Sequence, residues 1–545
     1  MGVNIGGVKH WDSVRRWAPF VLAVVTLMLF AWNVVEFYFL GDDCYISFRY
    51  ARHFAEGNGL RWNLGERPVE GYTNFLWVLL MAAGMVGKIS PEYLANILGI
   101  ASGVAVLGFT LWFSASHHSW RDPFIWAAPL LLASSRSFGA WCTGGLETQF
   151  FAMLVFGGYV VFCWERTRKV PLPWLSAVIF ALACLTRPEG ATFAAIAFGA
   201  HALEVVLKRR SAKGLLVWTA ILVAISGSHL CWRKYYYGLW LPNTFHAKVN
   251  GLWVEQGLSY FNLFNTDYWF FCYAWLMAVP LFLQRRFEHA LLFIAVSVHL
   301  AFLLYVGGDR FEFRFLVHVF PLMYWLLTCG MRRLDRSWKG ASWVALAIVL
   351  GITLWGRQEP EARIRDQVAS LHQIKAHAAG RKEQGQLLRN LVLSGDLPQD
   401  LRISVRGAGA LPYFSRLHTL DYLGLSDARV AAGDITERTV IGHEKHARPG
   451  YLARKHVAMF DTNRAIVFKA KDNPKKEVQQ ARSEVKKLHK EALQAREAKR
   501  QKVEAKNHLQ AKCLFFDPYY LVFATALPED EFGKVFGGAK PCEFN

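Results

Sequence analysis

The feature that most constrains this chain is a series of long, unbroken apolar runs, nearly all before residue 357, followed by a polar stretch to residue 545. A run of about 20 apolar residues suits a helix crossing about 30 Å of hydrocarbon, where each backbone polar group must find its partner inside the segment. Strands of a membrane barrel would instead alternate over about 10 residues. The runs exclude a single soluble enzyme, a disordered chain and a barrel. They predict an α-helical polytopic membrane protein with a C-terminal soluble domain. Hydrophobic residues make up 53% and charged residues 19% of the chain, with the charge concentrated between the runs and beyond them.

The first run, from about Trp17 to Leu40, follows Lys9, Arg15 and Arg16 and has no small-residue cleavage site behind it, so it reads as an anchor. Further spans are expected near 93–116, 123–143, 148–164, 173–185, 191–207, 215–232, 268–283, 290–306, 315–331 and 341–355, about eleven in all. Phe75–Val86 is short for a span and reads as partly immersed. Loops 117–121, 166–169, 208–213, 285–286 and 332–339 are basic and fall inside. The opposite loops, and everything after Gly356, fall outside. Counting Phe75–Val86 as a full span would put most basic clusters outside. The net charge of +20 therefore reflects loop orientation and one Lys-rich stretch near the C-terminus, and nucleic acid is not an expected partner.

Inner loops are short and basic, whereas outer loops mix Asp, Glu, Asn, Arg and aromatic residues, so any chemistry belongs on the outer face. Asp42 and Asp43 leave the first span together. Adjacent carboxylates near lipid are costly unless solvated, paired or functional. One can serve as general base toward an acceptor hydroxyl while its neighbour orients it or binds a cation; the alternative is an interfacial helix cap. Glu147 either faces the same outer cavity or partners the start of the fourth span. Arg187 and Glu189 read first as a self-satisfied ion pair on a Pro turn. Asp309, Arg310 and Arg314 follow a Gly-Gly turn, and guanidinium groups suit bidentate phosphate contact. His246 and Lys248 either reach a phosphate or are solvated. Tyr72, Thr73 and Asn74 either line a binding groove or pack the loop. No P-loop, dinucleotide turn or DxD ahead of a soluble domain is present to hold a nucleotide. No CxxC or His/Cys cluster indicates zinc.

The stretch Asp42-Asp43, Ile46-Ser47-Phe48-Arg49-Tyr50-Ala51-Arg52, Glu56-Gly57-Asn58-Gly59-Leu60, Asn63 to Arg67 and Val69-Glu70-Gly71-Tyr72-Thr73-Asn74-Phe75-Leu76-Trp77 resembles the GT-C superfamily of membrane glycosyltransferases. Within it, the chain resembles the bacterial terminal arabinofuranosyltransferase-like branch. Gly144 to Thr148, Thr186 to Gly190, Pro242-Asn243-Thr244 and Gly307 to Phe311 support the resemblance. It implies transfer of a sugar, arabinofuranose in this branch, from a polyprenyl-phosphate donor to an extracytoplasmic glycan, lipid or protein acceptor. It implies an active site under the first outer loop and a base at Asp42 or Asp43; by their own chemistry Arg310, Arg314, Lys248 and His246 are the expected donor-phosphate contacts, and Glu147, Tyr72, Asn74, Asp309 and Glu70 the expected acceptor or sugar contacts. It calls for no certain cofactor; a divalent cation beside the acidic pair is left open. The expected setting is the bacterial inner membrane, with the N-terminus cytoplasmic and the C-terminal domain periplasmic. Mannosyl or other pentosyl transfer is the nearest alternative. A lipid-linked sugar flippase or a noncatalytic assembly subunit would be rivals of another class.

Residues 1–356 are expected to form the membrane domain, with a first outer loop at 41–92, and 357–545 an extracytoplasmic α/β domain. In the latter, 363–393 reads as helix, 401–405 and 417–422 as strands flanking a Gly-rich turn at 407–413, and 513–527 as a terminal strand region. Between 471 and 512 a Lys-rich helical segment carries Val478, Ala481, Val485, Leu488 and Ala492 as a narrow stripe. A solvated helical hairpin is its first reading, with packing on the domain or on anionic groups as alternatives. Cys513 and Cys542 lie where an oxidising compartment permits a bridge.

Overall fold

The computed structural model describes residues 7–248, 251–284, 286–356, 368–435, 442–461, 467–469, 475–499, 509–516 and 519–542 of the 545. They fall into two compact units. The first comprises Met1–Leu40, Asn74–Lys234 and Gly251–Ile374, and the second Gly41–Thr73, Tyr235–Asn250 and Lys375–Asn545.

Among the described residues the regular elements of the first unit are helices, with one isolated parallel bridge pairing Phe311 with Ala369. Among the described residues five helices are long and apolar enough to cross a membrane: Trp17–Glu36, Pro91–His117, Thr148–Thr167, Ala212–Tyr237 and Phe287–Val306. A sixth arises if Val254–Tyr268 and Phe270–Gln284, bent by 76°, are one span. Shorter apolar helices occupy Phe75–Val86, Pro123–Ser134, Trp174–Thr186, Gly190–Val206 and Ala341–Trp355. Several expected spans are thus shorter or broken, and the breaks have local causes. Ser135 takes an extended conformation that ends one helix before Arg136 starts the next. The run from Phe315 pauses at His318 and Val319 before a new helix begins, with Pro321 in its first turn. The Thr148–Thr167 helix is the most enclosed of the long ones, packed between Pro91–His117 and Trp174–Thr186. At Gly99 a Cβ would lie 2.0 Å from the Cys142 carbonyl oxygen, so only glycine lets that helix approach the turn before Thr148.

Among the described residues the second unit holds one sheet. Its strands are β1 (Arg402–Val405), β2 (His418–Asp421), β3 (Met459–Phe460), β4 (Val467–Lys469), β5 (Gln510–Phe516), β6 (Tyr519–Thr525) and β7 (Lys540–Pro541). The order is β2-β1-β3-β6-β5-β7, with β4 against β6. β1 runs parallel to β2 and β3, and the other pairs are antiparallel. Alternation of side chains gives the sheet two apolar faces. Ile403, Val405, Leu521 and Phe523 pack with Leu388 and Val392 of the Leu371–Leu393 helix, while Val522 and Ala524 point the other way. A sheet apolar on both faces needs a cover on each. The Lys475–Lys499 helix supplies the second: Val478, Ala481, Val485 and Leu488 are buried with Val522, Ala524 and Leu509. The expected solvated hairpin is therefore corrected to a packed helix. The expected helical range to 512 is corrected too, because Gln510, Ala511 and Lys512 belong to β5. Residues 363–367, 471–474 and 500–508 and the side chain of Ala492 lie outside the described residues. Cys513 and Cys542 form a disulfide, with Cα atoms 5.4 Å apart, tying β5 to the chain beyond β7.

Candidate active site

In the second unit the acidic pair opens the Cys44–Ala55 helix. Asp43 is its N-cap residue and is half-buried, but its side chain does not cap that helix. Asp42 is 7% exposed, and its carboxylate caps a different helix. Its Oδ1 accepts the Ala410 N–H at 2.8 Å and its Oδ2 the Gly409 N–H at 3.2 Å. Those amides begin the Ala410–Ser415 helix after β1, where the backbone donors have no partner of their own along the chain. The two helices also pack together. Tyr45 lies against Tyr413 and Phe414, and the Arg52 guanidinium donates to the Tyr413 carbonyl at 2.8 Å. Arg49 is 3% exposed and donates to the carbonyls of Trp62, Pro412 and Leu417 and to Asn63 Oδ1. With carbonyls for partners and no carboxylate, burial pulls its guanidinium down to about 9.

The same unit contains four further candidates, His246, Lys248, Tyr72 and Glu70, the last of them buried. Asn243 donates to the Gly424 and Leu425 carbonyls, and its N–H to the Glu70 carbonyl, which anchors the Asn243–Lys248 helix bearing His246 and Lys248. The His246 carbonyl accepts from Lys445 Nζ at 2.8 Å, and Lys248 runs along Gly442. Tyr72 is buried: its hydroxyl meets that of Tyr237 at 3.0 Å and its ring packs edge-on to Tyr50. Glu66 receives His418, Asn63 and Lys455, and the His418 contact leads the effects holding its carboxyl well below the usual range.

In the first unit Asn74, Glu147, Arg187 and Glu189 form one chain of contacts. Asn74 Nδ2 donates to Glu147 Oε2 at 2.6 Å, Arg187 Nη1 to Glu147 Oε1 at 2.7 Å, and Arg187 Nη2 to Glu189 Oε1 at 2.7 Å. Glu147 is the N-cap residue of Thr148–Thr167 without capping it by its side chain. The expected Arg187–Glu189 pair exists, yet it is half of a larger network. Asp309 receives Arg314 Nε at 2.9 Å and Nη2 at 3.3 Å, and the Arg310 N–H at 2.9 Å. The Arg187 and Arg314 guanidinium carbons lie 4.8 and 4.9 Å from the Phe315 ring centre, which brings the two networks to one aromatic ring. Arg310 stacks on Phe311 at 4.6 Å. Gly307 and Gly308 adopt φ of +89° and +83°, the left-handed turn that glycine permits.

Three features escaped the sequence reading. Arg136, 1% exposed, pairs with Asp267 at 3.0 Å and Glu312 at 2.9 Å in the first unit, and Trp141 Nε1 donates to the Glu312 carbonyl. In the second unit Arg381 pairs with buried Asp461 at 2.9 Å just beyond β3. Asp421, at the end of β2, accepts from the N–H groups of Leu423 and Ser426 and from the Ser426 hydroxyl, while burial pushes its carboxyl up to about 6. An Arg inside an apolar run was the available signal for the first; the other two sit at strand ends with no local pattern. Among the described residues no three His, Cys, Asp or Glu side chains are grouped to hold a metal ion.

A family model described as a domain of unknown function, DUF8728, matches residues 372–509. A terminal beta-(1->2)-arabinofuranosyltransferase of Corynebacterium glutamicum is 27% identical over 386 residues, 61% of this chain and 54% of that protein. The chain thus spans about half the length of that curated relative. ArnT from Cupriavidus metallidurans, solved bound to undecaprenyl phosphate, matches with a TM-score of 0.52 at 13% identity, over 76% of this chain and 86% of that one. The archaeal oligosaccharyltransferase AglB from Archaeoglobus fulgidus, solved with an inhibitory peptide and a dolichol-phosphate, matches with a TM-score of 0.51 at 11% identity, over 95% and 77%. At these identities the structural likeness is one of fold.

Proposed function

We propose that the chain, whose fold is like those of ArnT and AglB, is a GT-C integral membrane glycosyltransferase moving a sugar, arabinofuranose, from a polyprenyl phosphate to an extracytoplasmic glycan, lipid or protein acceptor. The observation that carries this reading is the acidic pair set directly behind the first apolar helix, with Asp43 half-buried at the head of the Cys44–Ala55 helix. A carboxylate there is placed to take a proton from an acceptor hydroxyl. The lipid phosphates bound to ArnT and AglB support a polyprenyl-phosphate donor, and the 27% identical relative supports arabinofuranose as the sugar.

In this reading Asp42 or Asp43 is the base. Arg310 and Arg314, with Lys248 and His246, meet the departing lipid phosphate, because guanidinium and ammonium donors stabilise charge that grows as the bond breaks. Glu147, Asn74, Asp309, Glu70 and Tyr72 are the acceptor and sugar contacts. We read about eleven spans in the bacterial inner membrane, residues 1–356 as the membrane domain and 357–545 as periplasmic, with the N-terminus cytoplasmic. The Cys513–Cys542 disulfide agrees with an oxidising compartment for the C-terminal residues.

The test is transfer by the purified protein in lipid, offered labelled decaprenyl-phosphate arabinofuranose and decaprenyl-phosphate mannose separately with an envelope acceptor. Transfer from the first donor, lost in the double variant Asp42→Asn/Asp43→Asn, is expected. Transfer from mannose alone would change the sugar, and binding without transfer would overturn the enzymatic reading.

A further inference from the structure

Resting on that reading, we propose that His377 and Arg381 are substrate-binding residues, which together with Asp42 form a subsite for a sugar hydroxyl beside Gly407. Three side chains converge there. From the position a Cβ would take at Gly407, Asp42 Oδ2 lies at 3.3 Å, His377 Nε2 at 3.5 Å and Arg381 Nε at 3.7 Å, the three nearest atoms outside the adjoining residues. Gly407 does not take a positive φ, so glycine serves there to leave room rather than to bend the chain.

The Leu371–Leu393 helix brings two of the three groups to this point. His377, Arg381 and Gly385 recur every four residues and so share one face. At Gly385 a Cβ would lie 2.7 Å from the Leu411 carbonyl oxygen, so the helix backbone runs close against the Ala410–Ser415 helix that follows the Gly-rich turn. One and two turns back along the same face, Arg381 and His377 meet the turn itself. Arg381 is buried, and its Nη1 pairs with Asp461, whose carboxylate also accepts the Arg406 N–H. That pairing orients the guanidinium so that Nε is the atom turned toward Gly407.

The sheet topology marks the same place. β1 lies between β2 and β3 and is parallel to both; the chain passes from β1 to β2 on one side and then reaches β3 on the other. Gly407 follows β1 and Asp461 follows β3. Open α/β sheets bind ligands beyond the carboxyl ends of their strands where the strand order reverses in this way.

The mixture of charges selects the ligand. A phosphate would be repelled by the Asp42 carboxylate, and a bare cation by the Arg381 guanidinium. A hydroxyl is neutral and both donates and accepts. It can donate to Asp42 Oδ2, since a carboxylate oxygen that takes one N–H, as this one takes that of Gly409, still has a lone pair to offer. It can accept from Arg381 Nε–H and meet His377 Nε2 in either tautomer. His377 is exposed and Gly407 half-buried, so the space opens outward from its buried Asp42 and Arg381 walls. Donor and acceptor both carry sugar hydroxyls in this reading, and the experiment tells them apart.

Wild type, His377→Ala, His377→Gln and Gly407→Ala, full-length in lipid, are compared in KM and kcat for labelled decaprenyl-phosphate arabinofuranose and, separately, for an octyl arabinofuranoside acceptor, with thermal unfolding recorded. His377→Ala and Gly407→Ala are expected to raise one of the two KM values about tenfold with the unfolding transition kept, and His377→Gln, which still donates and accepts, to raise it about threefold at most. A rise in the donor KM assigns the subsite to the transferred sugar, and a rise in the acceptor KM assigns it to the acceptor. His377 is exposed, so its variants carry the test if Gly407→Ala fails to fold. Donor and acceptor KM both within about twofold of wild type in His377→Ala, whether or not kcat falls, would overturn the subsite. No transfer by wild type from either decaprenyl-phosphate arabinofuranose or decaprenyl-phosphate mannose would overturn the enzymatic reading, and the subsite with it.

Discussion

The guanidinium of Arg187 meets the carboxylate of Glu147 at 2.7 Å, although 40 residues separate them in sequence. Both are enclosed, and Arg187 also reaches Glu189. Removing one member of such a pair leaves a buried charge uncompensated, which costs about 3–5 kcal/mol. Arg187→Ala should therefore lower the unfolding temperature of the solubilised protein markedly. Arg187→Ala with Glu147→Ala should be less than additive, with a coupling of about 1 kcal/mol or more. Additive losses in a double-mutant cycle would refute the coupling.

Arg136 tests geometry as well as charge. Its fork reaches Asp267, Glu312 and the Gly356 carbonyl together. A lysine keeps the charge without the planar fork. Arg136→Lys is expected to fold with a lowered unfolding temperature, and Arg136→Ala to yield little folded protein by size-exclusion profile. Equal yields of the two would sink the argument.

Asp421 makes stability depend on pH. Its carboxyl titrates near 6 in the folded chain because burial disfavours the charge. Between the unfolded value of about 3.9 and the folded one, the folded state holds more protons, so stability falls as pH rises across that window. The contribution is present below about pH 4 and lost by about pH 6, roughly 3 kcal/mol in all. Unfolding temperatures of wild type and Asp421→Asn from pH 4 to 7 should diverge, the variant gaining on wild type as pH rises. A constant difference would argue against the shift.

The Cys513–Cys542 bridge closes 29 residues around the β5–β6 hairpin. Cys513→Ser should cost about 2–4 kcal/mol and expose the C-terminal residues to limited proteolysis. Thiol counting by mass spectrometry should find one free thiol more than in wild type.

Much of the helical order was legible because apolar runs report directly on burial in lipid. The Phe75–Val86 helix has the bounds that its composition gives it. The strands β1 and β2 were legible from local alternation and turn residues. Contacts between distant residues were not. Arg136 to Glu312 spans 176 residues, and nothing near either one points to the other. The Gly-rich turn at 407–410 read as a plain strand-to-helix turn, and the acidic pair as a choice between cap and base. Only the fold joins them, since a cap is normally sought within one helix and Asp42 caps another. The packing of the Lys-rich helix is hidden for a related reason. Its narrow stripe leaves packing and solvation both open, and the face it covers becomes apparent only once Val522 and Ala524 are seen on one side of β6.

The second unit is stitched from three separate stretches of sequence, and this imposes an order in time. Asp42 emerges early in synthesis, but the amide that receives it follows 368 residues later. At roughly 5–20 residues per second, the ribosome takes about half a minute to deliver it. During that interval Tyr45, Phe48 and Arg49 wait without the Pro412–Leu417 surface that buries them, so the nascent loop is a target for proteases and holding chaperones until that stretch is made. Quality control acting on this protein would therefore read the arrival of the Gly407–Ala410 turn from the state of the loop that follows the first apolar helix.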